Sequence, residues 1–357
     1  MSTVKTNAIL DASGGNTATF NGIPLRQGVL DPDNRIINGA FDFWQRGTSS
    51  TASGYVAADR WVNAPSGGTV TQSRQAFTVG DTLGSNSPIY FLRQSVSGQT
   101  LSASFAITYQ RIESVRSYAG QTITVLGWAR RSSGTGNMVV EAEQIFGTGG
   151  SPSANVTSAS VTVSLTGSWM PFAATISVPS IVGKTLGTNA NDATQINFWT
   201  SGGSDYNSRT NSLGLQTIGV DLWGVHIKVG THTTAATDLY KQPEMGPELV
   251  RCQRYFFKMS PTTSYGPYGM GHGVNATTFR VIIKTAQTMR AQPTLSFSAA
   301  SSFLWSYGNA LSAIVSAEFG VDAFSVQCTS TGIAANGGYL LTSNNNTTSS
   351  ITADAEL

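Results

Sequence analysis

Between Gln121 and Trp199 the chain alternates apolar and polar residues in short runs, each ended by glycine, serine, proline or asparagine. The runs are Ile123–Arg131, Met138–Phe146, Val156–Leu165, Phe172–Val178 and Ile196–Trp199. Between them lie turns such as Gly147-Thr-Gly-Gly-Ser-Pro152-Ser and Gly183-Lys-Thr-Leu-Gly-Thr-Asn189. A period of two sends alternate side chains to opposite faces of a strand. Many short strands separated by turn residues specify an all-β sandwich. Upstream, Leu101, Ala103, Phe105, Ile107 and Tyr109 alternate with Ser102, Ser104, Ala106, Thr108 and Gln110. That predicts a half-buried strand whose polar set faces outward. Downstream, Trp223, Val225, Ile227 and Val229 share one face of what reads as the last strand of the sandwich.

The chain divides into three parts. Residues 1–34 hold a strand, a Gly14-Gly15 turn and a second strand ending at Ile23, followed by the turn-rich Asp31-Pro-Asp-Asn34. So small a hairpin is not stable alone and is expected to dock or oligomerise. Residues 35–240 form the main β-sandwich. In residues 241–357, Gly246–Phe257 predicts a short connector helix, with Pro247 and Glu248 in its first turn and Leu249, Cys252 and Phe256 as its apolar stripe. A small C-terminal β-sandwich follows, with strands at Thr278–Lys284, Thr294–Ser298, Ala323–Gln327, Gly338–Thr342 and Ile351–Leu357.

Charge excludes several functions. Only 11% of the 357 residues are charged, against roughly 25% in an ordinary globular protein. The net charge is +2 and no basic block exceeds two residues, so no nucleic-acid footprint is present. No apolar run approaches the roughly 18 residues of a spanning helix, so no membrane insertion is expected. The first residues lack the apolar core of a signal peptide, which predicts synthesis in a cytoplasm. Two cysteines, Cys252 and Cys328, make no disulfide framework and are expected as buried thiols. A polar but nearly uncharged surface suits fibres, sugar-contacting proteins and assemblies that bury their own surface.

Trp128-Ala-Arg130, the acidic strand leading into Gln144-Ile-Phe146-Gly-Thr-Gly-Gly-Ser-Pro152-Ser, and Gly183–Asn189 together resemble a module of bacteriophage tail-fibre and related virion proteins. The resemblance extends to Ile37-Asn-Gly-Ala-Phe-Asp-Phe-Trp44-Gln-Arg46-Gly-Thr, Ala58-Asp59-Arg60-Trp61, Cys252-Gln-Arg-Tyr255-Phe256, Met289-Arg-Ala-Gln-Pro293 and Asp354-Ala-Glu-Leu357. It implies a jelly roll similar to carbohydrate-binding modules, residues 1–34 as a virion-attachment segment contacting other phage structural proteins, a homotrimer, and location on the virion. It implies non-catalytic adsorption to a bacterial surface polysaccharide. The alternative is a structural head fibre, capsid decoration or baseplate protein with no sugar site. The resembling proteins usually carry an acidic residue and a Pro-Phe-Glu-like tail after the last jelly-roll strand, where this chain has Lys228-Val-Gly-Thr-His232.

Candidate site residues follow from side-chain chemistry. Aromatic rings stack on the C–H faces of sugars while Arg and amides bond the hydroxyls. Six of seven tryptophans lie between Trp44 and Trp223. Trp44 with Arg46, and Trp128 with Arg130, share strand faces, and Trp199 stands beside a turn. Tyr265 and Tyr268 lie in a glycine-rich tract expected as a recognition loop. Glu141 and Glu143 share a face, and Glu141 is a candidate polar contact. Two acids on one strand do not flank a bond from opposite sides, so no catalytic pair is expected. The three histidines show no metal spacing. No cofactor motif is present, although Asp31, Asp33 and Asn34 carry oxygens suited to a structural calcium. Exposure of Trp44, Trp128 or Trp199 in a concave patch would favour the adhesin; burial of all three would favour the structural component.

Overall fold

The computed structural model describes residues 33–357, except Tyr307 and the side chains of Asp238 and Leu239, together with a short ladder near the N-terminus. That ladder pairs β1 (Thr19–Phe20) with β2 (Ile23–Pro24). Gly14, Gly15 and Asp31 lie outside the described residues.

The chain is all-β. The first sandwich contains β3 (Ser49–Ser50), β4 (Val62–Ser66), β5 (Thr69–Ala76), β6 (Tyr90–Ser97), β7 (Phe105–Glu113), β8 (Thr122–Arg131) and β9 (Gly136–Ile145). It continues with β10 (Val156–Thr157), β11 (Val161–Leu165), β12 (Met170–Ser177), β13 (Ala193–Gly202), the one-turn α1 (Asn207–Thr210) and β14 (Ile218–Val229). One sheet runs β10-β9-β13-β7-β4, with β11 also on β9; the other runs β12-β8-β14-β6-β5-β3. From β6 to β9, and again from β12 to β14, each strand lies in the opposite sheet to the one before it, which is the jelly-roll path. Ile123, Val125, Phe172, Ile176, Ile196, Phe198, Leu222 and Ile227 fill the space between the sheets.

Two faces differ from expectation. On β7 the polar set points inward: Ala106, Thr108 and Gln110 are buried between the sheets, while Phe105, Ile107 and Tyr109 look outward. Most of the inward polar groups find partners: Gln110 pairs with the Ile37 backbone (both 2.8 Å), although Gln72 Oε1 is left without a hydrogen bond. Gln72 donates to Thr108 Oγ1 (2.8 Å), Gln94 to Asn63 Oδ1 (3.0 Å), and Thr200 to Gln94 Oε1 (2.6 Å). Buried polar groups with partners are tolerated, whereas orphaned ones cost about 1–3 kcal/mol. On β14 a bulge between Trp223 and His226 breaks the period of two. Gly224 takes φ +64°, and Trp223 then faces outward while Val225 and Ile227 face the core.

Helix α2 (Met245–Gln253) ends earlier than expected, and Phe256 opens a strand. The second sandwich holds β15 (Phe256–Met259), β16 (Pro267–Gly273), β17 (Thr278–Lys284), β18 (Thr294–Phe297), β19 (Phe303–Trp305), β20 (Ala313–Phe319), β21 (Ala323–Thr329), β22 (Gly338–Ser343) and β23 (Ile351–Asp354). Its sheets run β15-β23-β18 and β19-β22-β16-β17-β21-β20. Phe279, Val281, Phe303, Val326, Leu341 and Ile351 form its core. Cys252 and Cys328 are free and buried; burial pushes the Cys328 thiol up to about 12, so it stays protonated and unreactive at neutral pH.

Candidate functional site

Five of the sequence pieces that resemble virion proteins, at residues 37–48, 58–61, 252–256, 289–293 and 354–357, converge on the joint between the two sandwiches. Arg46 donates to Asp354 (3.0 Å), lies 3.2 Å from Glu356, and stacks its guanidinium 3.6 Å from the Phe256 ring centre. Arg60, 1% exposed, pairs with Glu356, donates to the Arg111 carbonyl (2.6 Å) and lies 3.4 Å over the Tyr255 ring. Arg290 donates to the carbonyls of Ala355 (2.9 Å) and Glu356 (3.0 Å), and Arg111 to Leu357 (2.9 Å). Beneath them Asp59 accepts from the backbone and side chain of Gln45 (2.9 and 2.6 Å). Burial raises the Asp59 pKa, opposed by the Gln45 bonds and the nearby arginines. Asn38 bonds the carbonyls of Phe43 and Asp59 (2.9 and 3.0 Å) and receives the Trp61 indole on its own carbonyl (3.1 Å). Each of the five motifs supplies part of this fastening.

This corrects the first expected pair. Trp44 is 9% exposed, with its indole donating to the Phe41 carbonyl (2.5 Å), and the Arg46 side chain is closed off by two carboxylates. Neither offers a surface to a sugar. Trp128 and Trp199, at 3% and 1% exposed, are also buried. Trp128 packs against Trp223 and Tyr240, and Trp199 against Tyr206 and Phe105. All three tryptophans are therefore buried, the outcome that favours a structural component over a site built on these rings. Tyr268 is 5% exposed and bonds Ser349 (2.8 Å), because the tract expected as a loop is the central strand β16. Tyr265 is exposed and Arg130 partly so. Asn34 uses its side-chain oxygen to accept the amides of Ile36 and Ile227 (both 3.1 Å), which leaves it poorly placed as a calcium ligand. Among the described residues no group of three or more His, Cys, Asp or Glu side chains could hold a metal ion.

A different constellation occupies the outward face of the first sheet. Strand register places Arg111, Gln195 and Glu143 in one row, Tyr109, Asn197 and Glu141 in the next, and Ile107, Trp199 and Val139 in a third. Arg209, carried by α1, reaches over the rows. It binds Glu141 through Nε and Nη2 (3.0 and 2.7 Å) and Glu143 through Nη2 (2.8 Å). Asn197 donates to both carboxylates (3.1 and 3.3 Å), and the Trp199 indole to Glu141 (3.1 Å). Gln195 donates to Asn197 (2.7 Å) and accepts from Arg111 (2.9 Å). Burial acts to lower the Arg209 pKa, but the bonds and charges of Glu141 and Glu143 outweigh it and hold it above its ordinary value. Glu141 is fully buried under this network, which corrects its expected role as a direct ligand contact. The two carboxylates meet on one guanidinium nitrogen, an arrangement unlike an acid and base facing each other across a bond.

What remains at the surface is Tyr109, Arg111, Glu143, Tyr206 and Arg209, each partly exposed. Burial raises the Tyr109 pKa against the pull of Arg111, so its hydroxyl is neutral and able to donate. The sequence carried a signal for this face: three strands each show polar or aromatic pairs two residues apart, Tyr109/Arg111, Glu141/Glu143 and Gln195/Asn197. Arg209 and Tyr206, in the loop before β14, carried none.

No protein-family model matches the chain, and no curated protein matches it by sequence. Solved structures similar to it include the enzymatically active domain of a tailspike protein of bacteriophage CBA120, at 13% identity and TM-score 0.33, over 55% of this chain and 21% of that one. They also include a family 11 carbohydrate-binding module from Clostridium thermocellum with a bound tetrasaccharide, at 9% identity and TM-score 0.30, over 51% and 95%. A xylan-binding domain from Paenibacillus barcinonensis matches at 10% identity and TM-score 0.29, over 52% and 94%. The aligned part thus spans about a fifth of the tailspike chain. At these TM-scores the likeness carries no function to this chain, and its fold stands on its own strand pairing.

Proposed function

We propose that the chain is a virion protein of the phage fibre or spike type that binds a bacterial surface polysaccharide without cleaving it. The ligand face is the outward side of the first sheet, around Tyr109, Arg111, Glu143, Tyr206 and Arg209. One observation carries this reading. Fully buried Glu141 and Asn197, with nearly buried Gln195, hold the side chains above them in fixed positions. A solvent-facing sheet needs no such network for solubility, and burying these groups is unfavourable unless each is paired. A recognition surface gains from it, because side chains already fixed lose less entropy on binding. Single sugar contacts are weak; a trimer attached through residues 1–34 would raise avidity by roughly 10²–10⁴ if its sites engage together. Binding of labelled protein to susceptible cells, before and after periodate oxidation of their surface sugars, tests the reading. Saturable binding lost on oxidation and in Tyr109→Ala supports it; binding that survives both rejects it.

The burial of Trp44, Trp128 and Trp199 favours a second reading, a structural virion component without a sugar site. That reading predicts that the folded, assembled protein binds no untreated cells.

A further inference from the structure

We propose that the opposite face of the first sandwich, the outward side of the second sheet, carries a site for a carboxylate-bearing sugar, centred on Arg93 and Arg130. This face does not depend on the site around Tyr109, which lies on the other sheet. Register aligns Ser73, Arg93, Asp221 and Arg130 in one cross-strand row. Asp221 is completely buried and takes both arginines: Arg93 through Nε and Nη2 (2.6 and 2.8 Å), Arg130 through Nε (2.8 Å). The Asp221 hydrogen bond, outweighing desolvation, holds the Arg93 pKa above its ordinary value.

Two guanidinium groups share one carboxylate, so the row keeps one uncompensated positive charge. Among the described residues, Arg93 Nη1 and both terminal nitrogens of Arg130 make no protein hydrogen bond, and the two side chains are 25% and 28% exposed. A planar carboxylate matches the fork these nitrogens present. Beside Arg130 stands an aromatic wall. Its guanidinium lies 4.8 Å over Trp169, which stacks on Phe77 (5.2 Å, 27°) and meets Phe91 edge-on (5.2 Å, 87°). On the other side of the arginine row, Thr71, Ser95 and Gly219 align, with Ser132 against Gly219. These small side chains leave a shallow floor next to the charged row. An apolar wall, a low floor and two fixed cations together suit a sugar ring bearing a carboxylate.

The full chain is titrated by calorimetry with trigalacturonate, triglucuronate and 3′-sialyllactose, and with the methyl ester of whichever binds. The expected result is binding of at least one acid, with the ester at least tenfold weaker. Arg130→Gln and Arg93→Gln are each expected to weaken binding at least tenfold. Arg130→Lys keeps the charge beside Asp221 and guards against misfolding. It is expected to fold and still bind several-fold more weakly, because the planar fork is lost. No binding of any acid, equal binding of the ester, or an unaffected Arg130→Lys overturns the proposal. So does inorganic sulfate binding as tightly as the oligosaccharide, which would mark a bare anion site.

Discussion

The joint between the sandwiches and the outward face of the first sheet are made of the same chemistry, arginines held by carboxylates and aromatic rings, and put it to different uses. At the joint, Arg60 and Glu356 are sealed on all sides, at 1% exposure and 6% for the side chain. On the sheet face, Glu141 is equally buried but its partner Arg209 is 31% exposed. A sealed pair can only fasten; nothing outside reaches it. A pair buried at one end and open at the other gives the exposed end a fixed position while leaving it free to contact a ligand. The comparison teaches that burial of a charged network does not by itself mark a site.

The sharpest way to break the comparison is to remove one partner from each network. Arg60→Met leaves Glu356 with Arg46 alone and also removes the contacts to the Tyr255 ring and the Arg111 carbonyl; breaking a buried pair costs up to about 3–5 kcal/mol. Chemical denaturation should show that loss, with the single transition splitting as the sandwiches uncouple. A change within ~0.5 kcal/mol would mean that the joint does not fasten them. Arg209→Met removes charged hydrogen bonds from Glu141 and Glu143, worth about 1.5–3 kcal/mol where the partner is lost. The effect should be smaller than at the joint, since water can reach the place Arg209 leaves. An equal loss in both variants would erase the distinction drawn between them.

How far these regions were legible in the sequence depends on where the period of two survives. Strands β8, β9, β12, β17 and β21 to β23 were readable because β-branched, aromatic and other apolar residues cluster there between turn residues. Strand β16 was not, since Gly269, Gly271 and Gly273 read as a loop. Those glycines belong to the strand: a Cβ at Gly271 would lie 1.6 Å from the Arg280 carbonyl oxygen, and at Gly273 2.0 Å from that of Ala334. Face assignment failed on β7 because a polar residue was taken to face water, whereas Thr108 and Gln110 find partners inside. It failed on β14 because a bulge at Gly224 reverses every face beyond it. At the site, the tryptophans were misleading. A ring large enough to stack on a sugar is also the ring that best fills a core, and here Trp44, Trp61, Trp128, Trp199 and Trp223 are all buried.

Smaller in stability, but decisive for function, is Tyr109→Ala. Tyr109 is partly exposed on the sheet face, so its removal should change stability by no more than ~1 kcal/mol, as surface substitutions commonly do. If the sheet face binds a glycan, affinity should fall about tenfold, or about 1.4 kcal/mol. Binding to host cells reads the second effect and thermal unfolding the first. A variant that loses stability and keeps binding would place Tyr109 with the fastenings.

The finest test uses a carboxylate near the joint that no arginine contacts among the described residues. Asp42 accepts one bond from Gln242 (2.8 Å), while its other oxygen is buried without a hydrogen-bond partner. Its pKa is raised to about 6, first by burial and then by the nearby Glu248 charge, with the Gln242 bond opposing. An unfolded aspartate titrates near ~3.9, so between about pH 4 and 6 the folded chain holds more protons at this position than the unfolded one. The Asp42 contribution to stability is therefore fully present below about pH 4 and is lost as pH rises through 6. Asp42→Asn removes that dependence, since an amide does not ionise. Unfolding temperatures of both proteins from pH 4 to 8 should differ by an amount that grows in the variant's favour with rising pH and levels off above 7. Taking the difference cancels the other titrating groups, which both proteins share. A difference constant across that range would mean that Asp42 is solvated and charged like a surface residue, and that the joint tolerates no unpaired carboxylate.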